Sequence, residues 1–111
     1  MLRAVVAAED AKIGTTAINV GLICTGPAIP LARSVGRKKL LEMVLTGDMI
    51  SATEAERLGV VNKVVPPDEL EQATMEMAGK LAAKSPLALQ IGKTALYAMQ
   101  DLPYHQSIDY L

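Results

Sequence analysis

The stretch that decides the fold reads LARSVGRKKLLEMVLTGDMISATEAERLGVVNKVVP and runs from residue 31 to residue 66. Apolar residues recur at helical spacing between Leu40 and Leu45, and Gly47 is a typical stop after such a helix. Ser51 with Glu54 three residues later forms a capping-box pattern, which marks the start of the next helix. The pattern therefore predicts two consecutive helices separated by a short turn.

Glycine and proline punctuate the segments on both sides of these helices. Upstream, RAVVAA predicts a short buried strand and AKIG a second extended piece, and both precede the loop that starts at Gly14. A short helix is predicted over 28–35, with Pro30 in its first turn and Gly36 at its end. Downstream, Gly59 is predicted to close the capped helix, and VVNKVV predicts a third strand.

The last third of the chain predicts helices alone. The longest helix is expected from Asp68 to Lys84. Its apolar face would comprise Leu70, Ala73, Met77 and Leu81. A further helix is expected to begin with Ser85 as N-cap and Pro86 in the first position.

Composition excludes several functional classes. The chain has 111 residues with a formal net charge of −1, and its scattered basic residues predict no nucleic-acid surface. No apolar run is long enough to span a bilayer, and Glu9 and Asp10 interrupt the N-terminal apolar run too early for a secretory signal. The single cysteine, Cys24, permits no intrachain disulfide, which favours a reducing, cytoplasmic setting.

Three segments together carry a family resemblance. AAEDAKIG, the stretch 31–66 and KSPLALQIGKTAL resemble the enoyl-CoA hydratase/isomerase (crotonase) superfamily. The resemblance implies an α/β fold, the crotonase ββα spiral, of which this chain would be a truncated and mostly helical C-terminal part with two or three short strands. Residues 1–27 would form the last part of the spiral core and the active-site loop. Residues 28–111 would form the helical region that trimerises in relatives, incomplete at its C-terminal end.

The resemblance also implies a ligand and a missing catalyst. Family members act on acyl-CoA thioesters, and two peptide N–H groups stabilise the enolate that forms. In hydratases a motif resembling FGxPE supplies a glutamate, whereas IGTTA here places Ala17 at that position. Alanine cannot transfer a proton, so the chain is most similar to a hydratase-domain subgroup that lacks this acid. The second glutamate and the N–H donors belong to a part of the family that this chain does not match.

The loop GTTAINVGLICTGPAIPLARSVG, residues 14–36, is the expected contact region for the acyl group. Thr15 is one of its polar groups that could orient a ligand. The candidate substrate-binding residues are Thr16, Ala17, Asn19, Gly21, Cys24, Thr25 and Gly26. Each has a structural alternative. Asn19 could stabilise the turn through its amide, and either glycine could serve an ordinary tight turn. Cys24 could be a small packing residue, because no activating base is near it in sequence.

Other ionisable residues have weaker claims to a site. His105 is a possible general base, but its place near the end of the chain favours a surface or packing residue. Asp48 and Glu54 could act as paired carboxylates, although a turn and a helix cap explain both. The basic run at 37–39 could attract a CoA phosphate or form a solvated helix face. No cluster of side chains has the spacing of a metal site.

Three functional hypotheses follow. The chain could be part of an enzyme that acts on acyl-CoA thioesters and would be inactive by itself. It could be a non-catalytic acyl-CoA-binding paralogue, with a CoA thioester as ligand and no separate cofactor. It could also be an oligomerisation module that forms trimers or hexamers. No catalytic residue and no metal ligand is assigned, and neither nucleic acid nor a membrane is an expected partner.

Overall fold

The computed structural model of the chain describes residues 4–110. In that range the chain forms six α-helices, four short strands and three 3-10 turns. The strands are β1 (Val6–Ala8), β2 (Lys12–Ile13), β3 (Ile50–Ser51) and β4 (Lys63–Val65). The helices are α1 (Thr25–Ala32), α2 (Arg37–Thr46), α3 (Ala52–Arg57), α4 (Leu70–Ala82), α5 (Pro86–Met99) and α6 (Tyr104–Ser107). The 3-10 turns span Ala17–Val20, Pro67–Glu69 and Ile108–Tyr110.

The strands form two separate pairs. β1 lies parallel to β4, with Val6 opposite Lys63 and Ala8 opposite Val65. β2 and β3 are antiparallel, with Lys12 opposite Ser51. The sequence predicts β1, β2 and β4. It does not predict β3, because Ser51 was assigned only as the N-cap of the following helix. Arg3, which begins the predicted first strand, lies outside the described residues.

The chain divides after Thr74 into two compact units. The core of the first unit consists of small and aliphatic side chains from both strand pairs and from α2 and α3. Its buried members are Ala7, Met43, Ile50, Ala52, Ala55 and Val61. Ala52 and Ala55 are fully buried, so α3 packs closely on its neighbours. The division that the sequence predicts between residues 27 and 28 refers to the roles that these two segments have in relatives, and it stays a prediction.

The two central helices have the predicted ends. α2 stops at Gly47, whose φ of 70° is the left-handed conformation that glycine adopts readily. The Ser51 hydroxyl accepts a hydrogen bond from the backbone N–H of Glu54 at 3.1 Å, as the capping box predicts. Gly59, with φ of 83°, follows α3.

The first helix differs from its prediction at both ends. α1 begins at Thr25 and ends at Ala32, three residues earlier than expected. Pro30 therefore lies beyond the first turn, where its missing N–H leaves the Gly26 carbonyl without its usual helical donor. Gly36 does not end α1. It is the extended residue immediately before α2, and its position shows that glycine marks a boundary without indicating which helix it belongs to.

The second unit begins within α4 and continues through α5, α6 and the last 3-10 turn. α5 begins as predicted, with the Ser85 hydroxyl accepting a hydrogen bond from the N–H of Ala88 at 3.2 Å. The helix predicted over 68–84 is shorter, because Pro67–Glu69 forms a 3-10 turn before α4. At 14 residues, α5 and not α4 is the longest helix in the described range. The Ser107 hydroxyl bonds to the carbonyls of Met99 and Pro103 and fixes the turn between α5 and α6.

No helix within residues 4–110 is both long enough and apolar enough to cross a bilayer.

Candidate functional site

The loop that carries Ala17 is a folded structure. Ala17–Val20 is a 3-10 turn, and Gly21 ends it with φ of 79°. The backbone N–H of Asn19 donates to the carbonyl of Thr16 at 3.0 Å, and that of Leu22 donates to the carbonyl of Ala17 at 3.0 Å. The left-handed Gly21 confirms a conformational need for glycine at this position.

The first half of the loop runs alongside the end of α2. Thr15 is the single buried polar residue among those described, with 8% of its surface exposed. Its hydroxyl donates to the backbone carbonyl of Met43 in α2 at 3.2 Å. A buried hydroxyl without a partner would be costly, so this bond fixes where residue 15 lies.

Gly47 provides a second contact between the loop and the end of α2. A Cβ atom at this position would lie 2.7 Å from Cγ2 of Ile18 and 2.8 Å from Oδ1 of Asn19. The 3-10 turn therefore packs closely on Gly47, where a larger residue would force Ile18 or Asn19 to shift. The Asn19 amide also donates to the Gly47 carbonyl at a long 3.5 Å. This contact with a residue 28 positions away differs from the local turn bond considered for Asn19, and a ligand contact by Asn19 stays a prediction.

Gly14 makes the third contact. A Cβ atom there would lie 2.9 Å from Cγ of Met49. The antiparallel β2–β3 pair comes immediately before Gly14 in the chain. Residues 12–19 therefore lie alongside residues 43–51 without a break. We call this set of contacts the loop clamp, and define it by Gly14, Thr15, Ile18 and Asn19 on one side and Met43, Gly47 and Met49 on the other.

Ala17 lies in the middle of the clamped 3-10 turn and is half-buried. No Asp, Glu, His, Lys or Arg occurs between Lys12 and Arg33, so this part of the loop offers no carboxylate, imidazole or amine as an acid or base. Thr16, the adjacent candidate, is exposed. The loop can contact a ligand through peptide groups, hydroxyls and methyl groups.

The second half of the loop has a different character. Val20, Leu22 and Ile23 expose 77%, 65% and 52% of their surfaces, and Ile29 on α1 exposes 61%. α1 and the 3-10 turn bury no residue fully. Large apolar side chains that remain this exposed along one segment mark a surface available for contact.

Two candidate residues in this second half lie in a helix and not in the expected loop. Thr25 and Gly26 are the first two residues of α1 and not loop residues. Gly26 has an ordinary φ and no atom within 4 Å of a built Cβ, so neither a special turn nor a close approach requires glycine there. Cys24 is half-buried at the residue before α1, and its assignment as packing or ligand contact stays a prediction.

The other ionisable candidates lie outside this loop. Glu54 bonds to Nε of Arg57 at 2.8 Å, and this hydrogen bond lowers the pKa of the Glu54 carboxyl. The N–H of Asp48 donates to the Thr46 hydroxyl in the turn after α2. His105 is exposed on α6, in the second unit. Among residues 4–110 there is no group of His, Cys, Asp and Glu side chains that could hold a metal ion.

The basic run at the start of α2 faces an open groove. Lys39 pairs with Glu42 of the same helix at 3.1 Å, while Arg37 and Lys38 are exposed. The groove is lined by Gly36, Arg37, Lys38, Lys39, Leu41 and Leu58. Both earlier interpretations of this run, a phosphate contact and a solvated helix face, stay open.

Two residues important to the loop were not among the candidates from the sequence. Gly47 was predicted only as a helix stop, and Thr15 only as a polar group that could orient a ligand. The contacts that give them a further role connect positions 28 residues apart. A local pattern cannot indicate such contacts, and the adjacent Thr16, which is exposed, shows that residue type alone did not single out Thr15.

The architecture and the loop define a class of protein, and comparisons agree on it. A solved enoyl-CoA hydratase from Mycobacterium smegmatis superposes with a TM-score of 0.94 and 37% identity, over 96% of this chain and 42% of that one. Human enoyl-CoA hydratase domain-containing protein 3 gives a TM-score of 0.92 and 38% identity over the same shares. The described structure is therefore a part of the crotonase fold.

The family assignment follows from the sequence match. The family model described as "Enoyl-CoA hydratase/isomerase" matches residues 3–110, and the chain belongs to this family. Mitochondrial enoyl-CoA hydratase domain-containing protein 3 of mouse is 44% identical over 87% of this chain and 33% of its own length. The 2,3-dehydroadipyl-CoA hydratase of Escherichia coli is 39% identical over 88% of this chain and 39% of its own length. The chain thus spans about a third of the length of these relatives.

These findings confirm the predicted family and fold class. They do not test the assignment of the loop residues. The mouse relative is a mitochondrial protein by name, so the predicted cytoplasmic location stays a prediction.

Proposed function

We propose that this chain contributes to a protein that binds acyl-CoA thioesters, with the loop at 14–26 beside the acyl group. The observation that supports this most directly is Ala17, held on an ordered turn at the position of the family glutamate. A loop without an acid or base can surround an apolar ligand but cannot activate water. The names of the relatives, which include a 2,3-dehydroadipyl-CoA hydratase, support a CoA thioester as the ligand class.

As an isolated chain, it is expected to have no hydratase activity. The chain spans about a third of its relatives, and the resemblance assigns the other glutamate and the oxyanion donors to the unmatched part. Binding without turnover is therefore the expected behaviour. An enzyme assembled with the remaining part of the fold would act on the same class of thioester.

The test compares ligand binding with turnover. Isothermal titration with crotonyl-CoA and with free CoA measures affinity, and loss of the enoyl absorbance measures hydration. We expect the acyl-CoA to bind more tightly than free CoA, and neither the wild type nor Ala17→Glu to hydrate it. Hydration by the wild-type chain would overturn the non-catalytic proposal, and equal affinity for the two ligands would overturn an acyl contact.

A second candidate function is self-association as a trimer or hexamer. In its favour, α5 buries no residue fully and exposes Leu87, Ile91 and Leu96 by 60% or more. Apolar side chains in such numbers gain free energy when a partner covers them. Light scattering over a range of concentrations tests this. A concentration-independent monomer would exclude it.

A further inference from the structure

The loop clamp has a consequence for ligand binding beyond the proposed function, although it rests on it. We propose that Thr15 is a positioning residue, whose hydroxyl bond to Met43 holds the turn around Ala17 in the place where an acyl thioester binds. Thr15 does not touch the ligand in this proposal. It acts through the backbone of residues 16–21.

The end of α2 does not need the Thr15 hydroxyl for its own hydrogen bonding. The carbonyl of Met43 also accepts a hydrogen bond from the N–H of Gly47, at 3.0 Å. This second bond satisfies the carbonyl when the hydroxyl is removed, so the helix end would keep its hydrogen bonding. The bond from Thr15 therefore constrains mainly the loop.

The loop clamp acts next to Ala17. Thr15 lies two residues before Ala17, and Ile18 and Asn19 lie directly after it against Gly47. The 3-10 turn is thus fixed on both sides of the position that carries the family glutamate in hydratases. The backbone hydrogen bonds donated by Asn19, Gly21 and Leu22 stay within the turn, so they shape it without attaching it to α2.

A loop that must become ordered when a ligand binds loses conformational entropy at that moment, and this loss weakens affinity. A loop held in place beforehand avoids the loss. Removing the clamp should therefore weaken the binding of the ligand part that contacts this loop and leave other parts of the ligand unaffected.

The test uses the complete 111-residue chain with three variants. Thr15→Val removes the hydroxyl at nearly constant volume, and Thr15→Ser retains it. Thr74→Val is the matched control, because the Thr74 hydroxyl also bonds to a helix carbonyl, that of Leu70, far from the loop in sequence. Titration with crotonyl-CoA and free CoA is combined with backbone amide hydrogen exchange of residues 16–22.

The expected result for Thr15→Val is about three- to tenfold weaker binding of crotonyl-CoA, the size of one hydrogen bond, with free CoA unchanged. The amides of Asn19, Gly21 and Leu22 should exchange faster. Thr15→Ser and Thr74→Val should match the wild type in both measurements. This separation of the two ligands is a readout that a general loss of stability would not produce.

Two outcomes would overturn the inference. One is unchanged affinity together with unchanged exchange in Thr15→Val. The other is equal weakening of both ligands, which would make Thr15 a structural residue only. Wild-type protein that binds neither ligand overturns the proposed function itself. In that case the exchange rates still decide separately whether the hydroxyl orders the turn.

Discussion

The two halves of one uncharged loop behave in opposite ways. The half from Gly14 to Asn19 is clamped to the end of α2 through a buried hydroxyl and two glycines that leave no room for a side chain. The half from Val20 to Ile29 carries larger apolar side chains and yet leaves them exposed. Hydrophobicity therefore does not decide which half makes close contacts with the end of α2. The difference arises from what each half can reach across the fold.

This comparison separates two tasks within the proposed binding region. The clamped half fixes the backbone around Ala17 and gives the loop its shape. The exposed half offers an apolar surface for a ligand, for another part of the fold or for a second copy. Substitutions in the two halves should therefore affect different measurements.

The largest expected contrast is between two isoleucines. Ile50 is buried in β3 at the base of the clamped half, and Ile23 is exposed in the other half. Ile50→Ala should lower the free energy of unfolding by about 2–4 kcal/mol, because it leaves a cavity in the core. Ile23→Ala should change it by less than about 0.5 kcal/mol. Urea denaturation measures both, and similar losses would contradict the division into two halves.

A second contrast uses two glycines with the same backbone conformation. Gly47 and Gly21 have φ values of 70° and 79°, but only a side chain at Gly47 would collide with Ile18 and Asn19. Gly47→Ala should cost about 2–4 kcal/mol from strain and overpacking together. Gly21→Ala should cost about 1 kcal/mol from strain alone. Equal decreases in the free energy of unfolding of the two variants, measured by urea denaturation, would show that the contact at Gly47 does not contribute to stability.

A third prediction concerns the exposed half. The double substitution Leu22→Gln with Ile23→Gln should leave the free energy of unfolding within about 0.5 kcal/mol of the wild type. It should weaken any self-association through this surface by at least about tenfold, because buried apolar area is lost. Sedimentation velocity measures the effect. Met75→Gln, at another exposed apolar residue, is the control, and an equal effect there would remove any special role for this half.

The smallest predicted effect lies away from both halves, at the Glu54–Arg57 pair. The hydrogen bond from Arg57 lowers the pKa of Glu54 in the folded chain below its ordinary 4.5, so the unfolded chain binds the proton more readily. The pair therefore stabilises the folded chain at pH values above the pKa that Glu54 has in the unfolded chain. This stabilisation disappears as the pH falls through the lower pKa that Glu54 has in the folded chain. Glu54→Gln should slightly reduce the melting temperature at pH 7, because exposed pairs contribute little. The difference should vanish well below pH 4.5, and a difference that grows in acid would contradict this sign.

The sequence was sufficient wherever one local interaction dominated. The ends of α2, the cap of α3 and the start of α5 each depend on a glycine or serine and its close neighbours in the chain. The family match also depends on such a local series of motifs, and the crotonase fold follows from it. The early start of α1 and the two-residue β3 were missed, because tertiary contacts and not propensity set them.

The role of the loop was decided only by the tertiary structure. From the sequence, Thr15 and Asn19 were polar residues with several open roles, Gly47 was a helix stop and Gly26 was a possible close-approach glycine. Folding brings Thr15 against Met43 and Asn19 against Gly47, each pair 28 residues apart, and leaves Gly26 in an ordinary helical turn. The sequence by itself determined the caps and stops of the central helices and which family the chain belongs to, because those depend on near neighbours. Which residues hold the loop depended on contacts between distant segments, which only the folded chain creates.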